Sequence, residues 1–187
     1  YVEDAPADSV NKDEWRGVAV YVEQHDGNLA PVVLELLGKA RELASVTGHP
    51  VVALLVGSGV QAAAVTLLCH GADTVYVYDE QLLADFKVEP YAPCFEDFIH
   101  KVKPSSILVG APNLGRSLAP RGAARFGTGL TADCTRLEMK PNTDLVQIRP
   151  AFGGNIMAQI ITPKHRPQFC TVRYKIFSAP CKGEPLG

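Results

Sequence analysis

No two of the five cysteines stand in the C-x-x-C spacing of zinc and dithiol redox sites. The set is Cys69, Cys94, Cys134, Cys170 and Cys181. It is odd in number, which argues against a disulfide framework and for free thiols in a reducing compartment, the cytoplasm. A long unbroken apolar run is also lacking. Val51 to Cys69 carries no charge for 19 residues, enough by length to cross a bilayer. Gly57-Ser58-Gly59 divides it into a strand and a small-residue helix, so no membrane span is expected. No charged segment leads into an apolar one as a secretory signal requires. The basic residues are scattered, and no aromatic-and-basic ribonucleoprotein pattern or finger accompanies them, which disfavours nucleic acid. A G-x-S-x-G elbow, an H-E-x-x-H pair and the kinase motifs are all missing. His165 and Cys170 are a conceivable couple, but Pro163 and Pro167 flank the histidine and place it in a loop. No catalytic constellation emerges.

What remains is an ordinary globular composition, 187 residues with 47% hydrophobic and 20% charged, enough for one sizeable core. The net charge of −2 conceals an asymmetry. Residues 1–100 hold 5 Lys/Arg against 16 Asp/Glu, whereas residues 101–187 hold 13 against 4. The second half therefore offers cations to an anionic cofactor or an acidic partner surface, unless the two signs are simply two solvated faces.

Residues 1–14 are acidic and aperiodic and read as an arm. Gly17 to Glu23 reads as a strand, Pro31 to Thr47 as a helix stopped by Gly48, and Val51 to Val56 as a buried strand. Gly59 to His70 follows as a helix, then a strand over Thr74 to Tyr78 and a connection through Pro90. A helix over Cys94 to Lys103, a strand over Ile107 to Gly110 and a helix over Arg116 to Phe126 complete the alternation. This predicts an α/β fold, a doubly wound, mainly parallel sheet of five strands. Its core strands should include Val18, Val20, Val52, Leu54, Val75, Val77, Leu108 and Val109. After Gly129 the texture changes to short strands over Cys134 to Met139, Leu145 to Pro150, Asn155 to Ile161 and Phe169 to Tyr174. They predict an antiparallel β extension on the sheet edge, within one domain over 15–177. The Pro- and Gly-rich residues 178–187 read as the start of a linker.

Two glycine loops invite a nucleotide reading. Gly57-Ser58-Gly59-Val60-Gln61-Ala62 fits G-x-G-x-x-A after a strand, and Asp79 closes the next strand as a ribose-binding acid would. It follows the second strand, however, not the first. Gly110 to Ser117 resembles a phosphate loop, but Pro112 removes a donor and Arg116 replaces the lysine. Even so, it leaves the carboxyl end of a parallel strand, where open α/β sheets bind ligands. A nucleotide-dependent enzyme or dinucleotide-binding domain using either loop is the alternative reading.

Gly110-Ala111 with Gly115-Arg116-Ser117-Leu118-Ala119-Pro120-Arg121 resembles the corresponding strand-to-helix segment of electron-transfer flavoprotein alpha subunits. Thr128-Gly129-Leu130-Thr131-Ala132-Asp133 resembles that family's T-G-L-x-x-D, and Arg149 to Ile156 its R-P-A-[FY]-G-G-N-x. His165-Arg166-Pro167-Gln168 and Thr171-Val172-Arg173 resemble its H-R-P-Q and T-V-R. The resemblance, closest to the anaerobic, electron-bifurcating branch, implies an N-terminal domain folded like adenine-nucleotide alpha hydrolases. It implies FAD in the full-length heterodimer, held mainly by a C-terminal domain beyond this chain, and none bound tightly by these residues alone. It also implies a beta subunit as partner and dehydrogenases such as acyl-CoA dehydrogenase as redox partners, with NADH as donor in bifurcating members. Asn113, Gly115, Arg116, Thr128, Thr131 and Asp133 are the candidates for cofactor binding or the subunit interface. The chain is then an electron carrier's assembly domain and not an enzyme.

Overall fold

The computed structural model describes residues 10–110, 115–179 and 183. In chain order the elements are β1 (Val18–Val22), the two-residue strands β2 (Gln24–His25) and β3 (Asn28–Leu29), α1 (Pro31–Thr47) and β4 (Val51–Gly57). Then come α2 (Gln61–Cys69), β5 (Thr74–Asp79), α3 (Val88–Val102), β6 (Ser106–Gly110) and α4 (Gly115–Arg125). The chain finishes with β7 (Leu130–Cys134), β8 (Arg136–Met139), β9 (Leu145–Ala151), β10 (Ile156–Ile160) and β11 (Gln168–Val172).

Six strands form one sheet in the order β5-β4-β1-β6-β11-β7, and every pairing in it is parallel. Helices lie on both faces. Val18, Val20 and Val22 point into a core with α1 and α2, while Ala19 and Tyr21 point into another with α3 and α4. A parallel strand covered on both faces needs apolar residues without alternation, and β1, β4 and β6 are buried at every position. Of the eight expected core residues, six are buried. Val75 and Val77 are only half-buried because β5 is an edge strand.

The sheet has six parallel strands where five were expected, and two of the six, β7 and β11, are not among the four strands named for it. Residues 168–172 do not join an antiparallel extension but insert between β6 and β7, buried at all five positions. β7 lies before all but the first residue of the strand expected over Cys134 to Met139 and completes the parallel sheet, whereas β8 occupies the rest of that stretch and starts another. β8, β9 and β10 make a separate three-stranded antiparallel sheet, in the order β10-β9-β8. It does not lengthen the edge. Leu137, Met139 and Leu145 pack into the α1 core beside Leu108, Cys134, Cys170 and Val172, so this sheet covers the face of β6, β11 and β7 beside α1.

Helix α3 begins at Val88, six residues earlier than expected from Cys94. Pro90 falls in its first turn, where its missing N–H is not needed, and buried Tyr91, Ala92 and Phe95 hold the turns around Pro93. Tyr91 Oη also donates to Leu83 O at 2.7 Å. Here packing overrides two prolines.

The expected arm 1–14 and linker 178–187 fall partly outside the described residues. Within them, Lys12–Glu14 is a 3-10 turn whose Lys12 Nζ reaches Asp144 Oδ1 at 2.8 Å. Phe177 packs against the α1 core with Lys39 Nζ 5.1 Å from its ring centroid, and Gly183 N donates to Cys69 O at 2.8 Å.

Candidate functional site

The strand order reverses direction between β1 and β6, so the crevice at their carboxyl ends is the topological switch point where open α/β sheets place ligands. Glu23, 8% exposed, closes β1 at that point, and the sequence reading missed it. Its signal was a carboxylate ending an otherwise apolar strand. On the other side β6 ends at Gly110. Asn113 lies outside the described residues, while Gly115 and Arg116 open α4.

The remaining candidates do not gather in one place. β7 runs parallel to β11 with Cys134 beside Val172, which in turn pairs with Gly110. Asp133 therefore shares the carboxyl edge with the Gly110 loop and with exposed Arg173. Thr128 precedes β7, and its N–H donates to Ala123 O near the end of α4. That places it at the opposite edge of the sheet, about 15 Å away at roughly 3.3 Å per residue. Thr128 Oγ1 is buried and meets no hydrogen-bond partner. Thr131 lies between them, buried within β7.

Asp133 has a local structural role. It takes a left-handed conformation (φ 57°) at a register shift opposite Thr171, whose Oγ1 accepts the Asp133 N–H at 3.0 Å. Such a bulge re-aims the following side chain. Here it turns Cys134 toward Cys170, and both thiols are fully buried. Cys134 Sγ donates to Thr131 O at 3.7 Å, and its interaction with Cys170 lowers the pKa of the Cys134 thiol and raises that of Cys170, also desolvated, well above its ordinary range. Cys170 thus faces Cys134, not His165.

The dinucleotide reading of the Gly57 loop meets a direct obstacle. Asp79 Oδ1 accepts the Gly59 N–H at 2.7 Å and Oδ2 accepts the Val60 N–H at 3.1 Å. These are the amides that a pyrophosphate would need at the start of α2. The acid spaced as a ribose ligand instead occupies the loop itself. Gly57 is required for a separate reason, since a Cβ there would stand 2.5 Å from Gln24 Nε2 and 2.6 Å from Val60 Cγ1. Gln24 Nε2 in turn donates to Val56 O, and its Oε1 accepts the Gly27 N–H. The loop is filled by its own chain.

The H-R-P-Q segment is structural. Arg166 is fully buried, donating from Nη2 to Asp144 Oδ1 at 2.7 Å and Thr143 Oγ1 at 3.2 Å, and from Nη1 to the Thr162 and His165 carbonyls. Gln168 Oε1 accepts the Leu145 N–H, while its Nε2 donates to Ser105 O, Ser106 Oγ and Thr143 O. Together they tie the turn before β9 to the start of β6 and β11.

Among the described residues no group of three or more His, Cys, Asp or Glu could hold a metal. No helix there is long and apolar enough to cross a membrane.

Comparison with known proteins agrees with this architecture. Residues 18–185 match the electron transfer flavoprotein domain. The chain is 64% identical over 180 residues to lactate dehydrogenase (NAD(+),ferredoxin) subunit LctC of Acetobacterium woodii, covering 96% of this chain and 43% of that protein. It is 47% identical to electron transfer flavoprotein subunit alpha of Clostridium acetobutylicum, covering 90% of this chain and 50% of that one. Against Protein FixB of Clostridium saccharobutylicum it is 44% identical, covering 95% and 55%. The chain thus spans about half the length of the curated relatives it matches. On the match over 18–185, the chain belongs to the electron transfer flavoprotein domain family.

Proposed function

We propose that these residues are the N-terminal, assembly domain of the alpha-type subunit of an electron-transfer flavoprotein. The domain pairs with a beta-type subunit, and the flavin is held mainly by the remaining half of the full-length subunit. The observation that carries this reading is the use of the glycine loop. Its amides hold the protein's own Asp79, which argues against a nucleotide site at the Gly57 loop; the Gly110 loop of the alternative reading lies partly outside the described residues.

Three cavities lie among the described residues. Cavities of about 170, 320 and 360 Å³ lie beside Lys12 and His49, between α1 and α2, and under Phe177. Small-ligand sites run from about 300 to 1,000 Å³, so the two larger cavities stand at the bottom of that range. What the domain supplies is a rigid, two-sided core and a carboxyl edge with Asp133 and Arg173. In this reading the subunit links dehydrogenases, such as an acyl-CoA dehydrogenase, to an acceptor, and the name of the Acetobacterium woodii relative supports NAD(+) and ferredoxin as candidates.

The test is a visible spectrum of the purified chain with calorimetric titration of FAD and NADH. A colourless protein without sub-micromolar binding of either is expected. A flavin band at stoichiometric occupancy would replace this reading with a self-contained flavin site.

A further inference from the structure

The hairpin of β9 and β10 exposes apolar side chains on both of its faces. Phe152 at its tip is 83% exposed, and Ile156 and Met157 at the start of β10 are 55% and 54% exposed. Other exposed apolar residues such as Val46, Val65 and Leu82 stand singly on separate elements, which needs no explanation. Phe152 also takes φ 49°, a left-handed conformation unusual for a bulky residue. A strained aromatic held out into water gains nothing for the isolated fold.

β10 is also an edge. It pairs with β9 on one side, and among the described residues no strand lies on the other. Edge strands in monomeric proteins are blunted by lysine, proline, bulges or cover. β10 reads Ile156-Met157-Ala158-Gln159-Ile160 and has no charge and no proline. The opposite edge of the same sheet, β8, does carry such protection, with Arg136 and Glu138 exposed and paired at 2.6 Å. One edge is guarded and the other is left able to pair.

The charges around the hairpin indicate what it pairs with. Between residues 134 and 165 the cations are Arg136, Lys140, Arg149 and Lys164, and the acids are Glu138 and Asp144. Asp144 is buried with Arg166, and Glu138 is matched to Arg136. Arg149, half-buried and paired with Ala158 of β10, is the cation beside the apolar strip, and exposed Lys140 and Lys164 lie past the other end of the same sheet, beyond Met139 and Ile160. Two copies of this hairpin laid edge to edge would bring like charges together, which costs affinity. A partner with carboxylates beside its own open strand would be attracted.

From these features we infer that β10 and Phe152 are a docking surface on which an acidic protein partner adds a strand, the mode known as β-augmentation. Resting on the function proposed above, that partner is the beta-type subunit. Main-chain hydrogen bonds along β10 supply the pairing, Phe152 and Met157 are its apolar anchors, and Lys140 and Lys164 steer the approach.

The probe is the cognate beta-type subunit, titrated against the chain by calorimetry and sedimentation. Met157→Lys places a charge on the edge and Phe152→Ser removes the anchor. Each should weaken association at least tenfold, while Met157→Leu binds as the unaltered chain does and all three keep its unfolding midpoint. Lys164→Glu should slow association and reduce its salt dependence. If the unaltered chain binds and Met157→Lys and Phe152→Ser bind equally well, this surface is wrong and the proposed function stands. If the unaltered chain does not bind, the beta-subunit pairing falls and this inference falls with it. Should the chain alone form a dimer that Met157→Lys abolishes, the occupant is a second copy and the acidic partner is overturned.

Discussion

The guanidinium of Arg166 is fully buried with Nη2 2.7 Å from Asp144 Oδ1, and Lys12 Nζ reaches the same oxygen at 2.8 Å. One carboxylate therefore links the loop before β11, the turn before β9 and the N-terminal 3-10 turn. These segments lie more than a hundred residues apart in the chain at the widest, so the link closes a large loop.

Removing one member of a buried pair strands the other charge. Asp144→Ala and Arg166→Ala should each cost about 3–5 kcal/mol of stability. Lys12→Ala, which removes the half-exposed partner, should cost about 1 kcal/mol or less. Urea unfolding of the three variants gives the comparison. A loss for Lys12→Ala as large as for Arg166→Ala would show that the exposed cation, not the buried one, carries the link.

The same pair sets an acid limit. Burial acts to raise the Asp144 carboxyl, but hydrogen bonds from Lys12 and Arg166 outweigh it and hold the group below its ordinary 3.8. A lowered folded value means that the unfolded chain binds the proton more readily. The stabilisation is complete above about pH 4 and is lost as pH falls through the folded value. Asp73, held down by Arg41 and the Val51 N–H, behaves alike. Unfolding free energy should thus fall below pH 4, and less steeply in Asp144→Asn. An equal slope in both proteins would remove Asp144 from the cause.

The alternation of strands and helices up to Phe126 was legible because apolar runs and glycine stops are local signals. Gly48 shows this, ending α1 at φ 71° where the sequence placed the stop. The position of β11 was not legible. Phe169, Cys170, Thr171 and Val172 read equally well as a hairpin strand, and their place is fixed by long-range contacts, the pairing with β6 and β7 and the Gln168 bonds to Ser105 and Thr143. The candidate residues were found as a motif, and motifs carry no distance. Thr128 and Asp133 are five positions apart in sequence, yet Thr128 precedes β7 and Asp133 lies near its carboxyl end. Glu23 and Asp79 show the reverse limit, since a carboxylate's role depends on which amide or cation it meets.

Gly122 tests the packing between α3 and α4. A Cβ there would stand 2.6 Å from Phe95 Cε1 and 3.3 Å from Phe169 Cε1. Both rings are buried, their centroids are 5.9 Å apart, and neither has free space to yield. Alanine gains about 1 kcal/mol in helix propensity, whereas overpacking costs about 1–3 kcal/mol. Gly122→Ala should therefore come out destabilised by up to about 2 kcal/mol, seen as a lower melting temperature. A rise in melting temperature would mean that Phe95 can move aside.

Asp79 separates the two readings of the Gly57 loop. Its carboxylate accepts from two amides at the start of α2, and no other side chain caps that end. Loss of a helix cap costs about 0.5–2 kcal/mol. Asp79→Ala should lose that amount, and Asp79→Asn less, since its Oδ1 can still accept from one N–H. If the loop were a dinucleotide site with Asp79 on the ribose, Asp79→Ala would leave stability unchanged and abolish NADH binding. If the carboxylate is instead the loop's own anion, stability falls and NADH titration shows no binding lost. Thermal unfolding and NADH calorimetry on the same three proteins give both numbers. An unaltered melting temperature together with lost NADH affinity would restore the nucleotide reading.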